Sequence, residues 1–248
     1  LTPTDLILLA SALRDNRTIH TVNVMGNSIC GLDNEGNGMF DVSGITALCE
    51  MLSTNTCISS INLSHNRLQK SPKDNITSDL KAVSMLTNMM RMNSSIKFMD
   101  LSFTNLGPHG AGELSCGVLL NPVLSQIDLA GNFLGTGGAE YVSQVLGRPV
   151  AKVDMEQVKS NKTLQVLFLC AGATVPFGKL RTNQLDTLDL SACHLEVSDL
   201  MILTSALTLT SALTSLDLSN NIFMGRVRDA SDPSGWKGTY TTEGIRVL

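Results

Sequence analysis

Residues 33 to 44 read Asp33-Asn-Glu-Gly-Asn-Gly-Met-Phe-Asp-Val-Ser-Gly44. Oxygen donors alternating around a glycine are what a hard divalent cation asks of a twelve-residue loop, and positions 1, 3, 5, 6 and 9 of the calcium pattern are filled. Position 12 is Gly44 where that pattern needs a bidentate Glu. The segment also follows a strand pattern instead of a helix, and a sister loop before Gly238 lacks the carboxylates. The expectation is therefore no metal, but an inserted loop whose aromatic (Phe40 here, Tyr240 in the sister) packs at a helix entrance.

Other reactive residues form no constellation. The four histidines, His20, His65, His109 and His194, fall in four different stretches, with His20 and His65 as neighbours at best. There is no G-x-S-x-G and no phosphate-cradling glycine loop. No catalytic residue and no cofactor is expected. Six cysteines at 30, 49, 57, 116, 170 and 193 contain no C-x-x-C and read as free thiols of a reducing compartment. That places the chain inside the cell, in the cytoplasm, a cilium or an organelle. Five N-x-S/T triplets, at Asn16, Asn62, Asn75, Asn93 and Asn161, coincide with recurring structural positions except at Asn75, which sits in a polar loop.

Composition narrows the class further. Apolar residues make up 43% of the 248 and charged residues 16%, enough for a large core. Aromatics are only 4%, so that core must be aliphatic. Lys and Arg number 18 against 22 Asp and Glu, which argues against nucleic acid or an anionic membrane surface as partner. No apolar run reaches a membrane span. The opening Leu1-Thr-Pro suggests a piece of a longer chain.

What must position all of these residues is a repeated phrase. Its cleanest copy is Leu213-Thr-Ser-Leu216-Asp-Leu218-Ser-Asn-Asn221-Ile-Phe223, and further copies start at 19, 58, 96, 124, 164 and 185. The steps between copies are 39, 38, 28, 40, 21 and 28 residues. Most intervals carry a helical stripe, such as Ile45, Leu48, Cys49 and Leu52, or Val83, Leu86, Met89 and Met90. Thr4 and Ser198 are candidate caps for the first and last helices. The interval from 173 to 184 lacks helical period and reads as an irregular connection. Residues 238–248 match 38–48 position by position and read as the start of an eighth unit.

Units of 20 to 29 residues with this phrase resemble leucine-rich repeats of the ribonuclease-inhibitor-like class. The resemblance covers nearly the whole chain and implies one domain, 1–248. It implies an α/β right-handed horseshoe of about seven repeats, with a parallel sheet on the concave side and helices outside. Side-chain alternation then sorts each phrase. The motif leucines point inward. A ladder position follows the strand, occupied by Asn27, Asn66, Thr104, Asn132, Gly172, Cys193 and Asn221, with irregularity expected at Gly172. The concave column reads Asn23, Asn62, Asp100, Asp128, Phe168, Asp189 and Asp217, with Phe98 and Phe103 added as aromatic anchors. Four carboxylates without a cation fit a basic protein. They equally fit a solvated face of the recurring Leu-Asp-Leu-Ser phrase.

The expected function is thus a non-catalytic scaffold that presents the concave face to another protein. A second expectation is a structural subunit of a large ciliary or organellar complex, with contacts through loops 31–38, 69–78, 149–160 and 225–238. A third is a regulator of a small GTPase. The class includes Ran GTPase-activating proteins, but none of their functional residues matches a position here.

Overall fold

The computed structural model describes residues 1–70, 80–145, 161, 163–170, 173–223, 227–228 and 236–237. Strands and helices alternate through them: α1 (Pro3–Leu13), β1 (Thr21–Asn23), α2 (Ser43–Thr54), β2 (Ser60–Asn62), α3 (Lys81–Met92), β3 (Phe98–Asp100), α4 (Gly107–Leu120), β4 (Gln126–Asp128), α5 (Gly135–Val145) and β5 (Val166–Cys170). Then come β6 (Ala173–Val175), α6 (Phe177–Arg181), β7 (Thr187–Asp189), α7 (Val197–Leu207) and β8 (Ser215–Asp217), with a short antiparallel pair, β9 (Val227–Arg228) and β10 (Trp236–Lys237). The loops 71–79 and 149–160, the residues around 225–238 other than the β9 and β10 pairs, Asn75, Gly172, Tyr240 and the eighth-unit segment lie outside the described residues. No helix among those described is long and apolar enough to cross a membrane.

Each three-residue strand turns one side chain toward the helices and two away. Val22, Ile61, Met99, Ile127 and Leu167 are buried and stand in register across β1 to β5. The helical stripes meet them from one side only: Ile45, Leu48 and Leu52 from α2, then Val83, Leu86 and Met90 from α3, all fully buried or nearly so. At roughly 1.5–3 kcal/mol per buried aliphatic side chain, this layer is the main favourable term in the fold. The helices approach closely where residues are small. A Cβ at Gly138 would meet the Ala111 Cβ at 3.2 Å. The first and last helices are capped two residues earlier than the sequence suggested. Thr2, not Thr4, caps α1 with Asp5 closing the capping box, and Glu196 precedes α7 while Ser198 lies inside it.

The strands are short because their last residue ends them. In six units the outward Asn or Asp that closes the strand accepts the N–H two residues on: Asn23 from Met25, Asn62 from Ser64, Asp100 from Ser102, Asp128 from Ala130, Asp189 from Ser191 and Asp217 from Ser219, all at 2.8–2.9 Å. This turn pulls the backbone out of the sheet. The following residues are then gathered by the ladder. Asn66 Nδ2 donates to Val24 O at 2.8 Å, Asn132 Nδ2 to Leu101 O at 2.7 Å and Asn221 Nδ2 to Leu190 O at 2.8 Å, each reaching into the preceding unit. Their Oδ1 atoms accept from Asn27 N, Thr104 N and Leu195 N of that unit. Thr104 substitutes by donating Oγ1 to Leu101 O.

A second asparagine ladder runs at the other end of the strands. Asn55 donates to Leu13 O and Asn16 O, Asn93 to Leu52 O, Asn121 to Met90 O and Asn93 O, and Asn161 to Val118 O. The Oδ1 of each accepts the N–H groups that lead into the next strand. Asn93 and Asn161 are thus buried structural amides, which accounts for their N-x-S/T context.

The sheet departs from the expected continuous parallel array. Six strands run β1-β2-β3-β4-β5-β6, parallel up to β5, but β6 folds back antiparallel on β5, pairing Phe168 with Thr174. It occupies the edge where β7 would have paired. β7 and β8 form their own parallel pair. The interval 173–184 is therefore ordered, as a strand and the short α6, whose Phe177 is fully buried. On the helix side α5 packs directly against α7, so the units beyond the break stay attached through helices and not through the sheet.

Candidate partner-binding surface

Asn23, Asn62, Asp100, Asp128 and Phe168 stand side by side on the sheet face that turns away from the helices. Phe98 shares that face one residue pair along, opposite Ser60 and Gln126. Asp189 and Asp217 are register partners on the separate pair β7–β8. The acidic column is therefore two carboxylate pairs, not one stripe, because β6 intervenes. Phe103 is not on this face at all. It lies in the turn after β3 with φ +55° and stacks on His65.

The members of the column differ electrostatically. Ser191, through its side chain and its N–H, holds the Asp189 carboxyl below its ordinary value. Asp128 is pushed up to about 6, chiefly by burial and secondarily by Asp100 alongside, against the opposing pull of the Ala130 N–H. Its neighbour on the other side is the apolar Phe168, which offers a carboxylate no solvation.

The calcium-like segment has a structural explanation. Asp33 Oδ1 accepts Glu35 N at 3.0 Å and Asn37 N at 2.8 Å, and Oδ2 accepts Asn37 Nδ2 at 3.0 Å. The carboxylate is spent on its own loop. The Asn34 carbonyl takes the Arg67 guanidinium at 2.9 Å, a cation already supplied by the next unit. Asp41 accepts the Ser43 N–H at the start of α2, and Phe40 packs against the core as expected. The histidines do not converge. His20 meets Cys57 O at 2.9 Å before β1, whereas His65 follows β2, at the opposite end of the strands. Cys30 and Cys49 are buried, and burial pushes the Cys30 thiol up to about 12.

A cleft of about 160 Å³ opens where the sheet breaks. It lies between the turn after β4 (Gly131, Asn132, Phe133, Leu134) and the segment after β7 (His194, Glu196, Ser198, Asp199), with Phe103, Leu129 and Leu169 completing the wall. Phe133 projects at 73% exposure, while Asp199 is 8% exposed. Asp199 is pushed up to about 6 by burial and by the neighbouring Glu196 carboxylate, against a hydrogen bond from Glu196 N at 2.9 Å. The sequence column missed this site. Its signal was the 21-residue step and the loss of Asn at 172 and 193.

No family model matches the chain, and no curated protein matches it. Among solved structures, the leiomodin-1 actin-binding site 2 domain is similar at 14% identity with a TM-score of 0.50, over 83% of this chain and 87% of that one. The C-terminal domain of Caenorhabditis elegans tropomodulin aligns at 12% identity and a TM-score of 0.44, over 69% and 84%. At such identity the leiomodin likeness is one of fold. With the strand phrases and ladders above, it makes the chain a mixed α/β protein of leucine-rich-repeat-like fold.

Proposed function

We propose that the chain is a non-catalytic protein-binding module, a leucine-rich-repeat horseshoe of the ribonuclease-inhibitor-like type that docks a basic protein on its open, concave sheet face. The observation that carries this is the in-register run Asp100, Asp128 and Phe168, flanked by Phe98, on a face that no helix among the described residues covers. Paired carboxylates beside aromatic rings supply charge steering and anchors together. Carboxylate–amine coupling of the native protein to its neighbours, read by mass spectrometry, tests it. Links from Asp100, Asp128, Asp189 or Asp217 are expected. Links only from Asp33 and Glu35 would overturn it in favour of a second reading, a subunit of a large assembly contacting neighbours through loops. The clamp of Arg67 on the 31–38 loop supports that alternative, because it presents the loop in a fixed shape. Actin is the partner named for the leiomodin-1 domain, so co-sedimentation with actin filaments asks whether the likeness extends beyond fold.

A further inference from the structure

The cleft at the sheet break has a composition unlike the rest of the surface. Its floor is aliphatic, from Leu129, Leu134 and Leu169. Its rim holds the rings of Phe103 and Phe133, exposed at 45% and 73%. One wall carries Glu196, which is exposed, and Asp199, which is not. Among the described residues no lysine or arginine lines it, and His194 is the one basic side chain on its wall. Asp199 Oδ2 takes the Glu196 N–H, and Oδ1 has no hydrogen bond among the described residues. A carboxylate 8% exposed and two aromatic faces, with no lysine or arginine among the described lining residues, form an acceptor for one organic cation. An engineered cavity of about 150 Å³ takes a benzene, so about 160 Å³ has room for one planar guanidinium or an ammonium with its stem.

The cleft exists for a topological reason. Elsewhere the asparagine ladder ties the turn after β2 to that after β1, the turn after β4 to that after β3, and the turn after β8 to that after β7. Past β5 the chain reverses into β6, so the turn after β4 faces the segment after β7 across that reversal. The site is thus a built consequence of the shortened unit.

We propose that this cleft receives a cationic side chain, the guanidinium of arginine or the ammonium of lysine, projecting from the protein bound on the adjacent sheet face. The inference rests on the protein-binding reading above and adds a specificity pocket to it. The aliphatic stem lies on Leu134 between the two phenyl rings, and the charge meets Asp199 and Glu196.

The test uses the whole chain in solution, observed by NMR during titration with Nα-acetyl-arginine amide, Nα-acetyl-lysine amide and the neutral isostere Nα-acetyl-citrulline amide. One or both cationic compounds should shift the signals of 131–134 and 194–199 and leave β1 and β2 unmoved, while citrulline binds at least tenfold more weakly. Glu196→Gln should weaken the cation about tenfold, as expected for loss of a charge-assisted contact. Phe133→Ala, at a solvent-facing ring that the fold does not need, should weaken it about threefold. Shifts spread along the sheet face, equal binding of citrulline, or no response to Glu196→Gln would each overturn the cleft assignment. None of these outcomes bears on the sheet face, which the coupling experiment decides separately.

Discussion

The imidazole of His65 stacks on the phenyl ring of Phe103, centroids 4.6 Å apart and planes 11° from parallel. Both residues occupy the left-handed turn position after their strands, at φ +53° and +55°. The equivalent residue of the next unit is Gly131, at φ +66°, and the Phe103 ring covers it. Equivalent turns therefore stack as ring on ring on bare backbone. Gly131→Ala should cost about 1–2 kcal/mol from the left-handed backbone alone, plus displacement of the ring. In Phe103→Ala/Gly131→Ala only the backbone cost should remain. Urea unfolding of the two single variants and the double variant measures the coupling, and strict additivity would mean that the ring does not rest on residue 131.

Asn121 donates to Met90 O and Asn93 O and accepts from Val123 N and Leu124 N, all four bonds buried or nearly so. Asn121→Ala should destabilise the protein by about 2–4 kcal/mol, since several backbone groups lose their partners at once. Asn121→Asp should be at least as damaging, because a carboxylate keeps the acceptor but faces two carbonyls with nothing to donate. Chemical denaturation at neutral pH checks both.

The sheet-face column behaves in the opposite way. Asp128 needs only to accept the Ala130 N–H, as Asn62 does for Ser64. Its carboxyl titrates near 6 in the fold against an ordinary value of 3.8. The folded state therefore holds the extra proton between those values. The contribution of this carboxyl to stability is therefore greatest below about pH 4, falls as pH rises through 6, and stays lower above it. Asp128→Asn should remove that fall and stabilise the protein at pH 7.5 by roughly 1–2 kcal/mol, less than the full shift implies because solvent screens part of it, with little change at pH 4. Unfolding free energies at the two pH values decide it. An equal effect at both would mean that the carboxyl is not held protonated by its surroundings.

The contrast between Asn121 and Asp128 shows what was legible in the sequence. The repeated phrase identified strand positions, inward leucines and one asparagine ladder, because period-two alternation leaves little choice once the phase is known. It did not reveal the second ladder, in which Asn55, Asn93 and Asn121 bond across units. The Leu-Asp-Leu-Ser phrase suggested an acidic binding column, yet every one of its carboxylates also serves a local turn. The fold-back of Ala173–Val175 onto β5 was not legible. Three residues carry no period, and strand pairing there depends on contacts with Leu167 and Phe168. The cleft followed from that reversal and was hidden with it. Phe103 was grouped with the sheet-face residues although continued alternation would have turned it inward with Met99 and Leu101; it sits in the turn, where alternation no longer applies.

That break has consequences for stability. Leu129, at the end of β4, is 4% exposed and packs between sheet and helices, so Leu129→Ala should cost about 2–5 kcal/mol. Leu216, the inward residue of β8 and the counterpart of Ile127 in β4, is only partly buried, and its strand belongs to the two-stranded pair. Leu216→Ala should cost about half as much. The pair β7–β8 is joined to the rest through α7 on α5, without a sheet ladder. It should therefore open locally below the free energy of global unfolding. Native-state hydrogen exchange should show the Leu190 amide, bonded to Asp217 O at 2.8 Å, exchanging faster than the Leu101 amide, bonded to Asp128 O at 2.9 Å. The two bonds are equally short, so a difference in rate would come from the topology around them. Equal protection would mean that the helix contact alone makes the two sheets one cooperative unit.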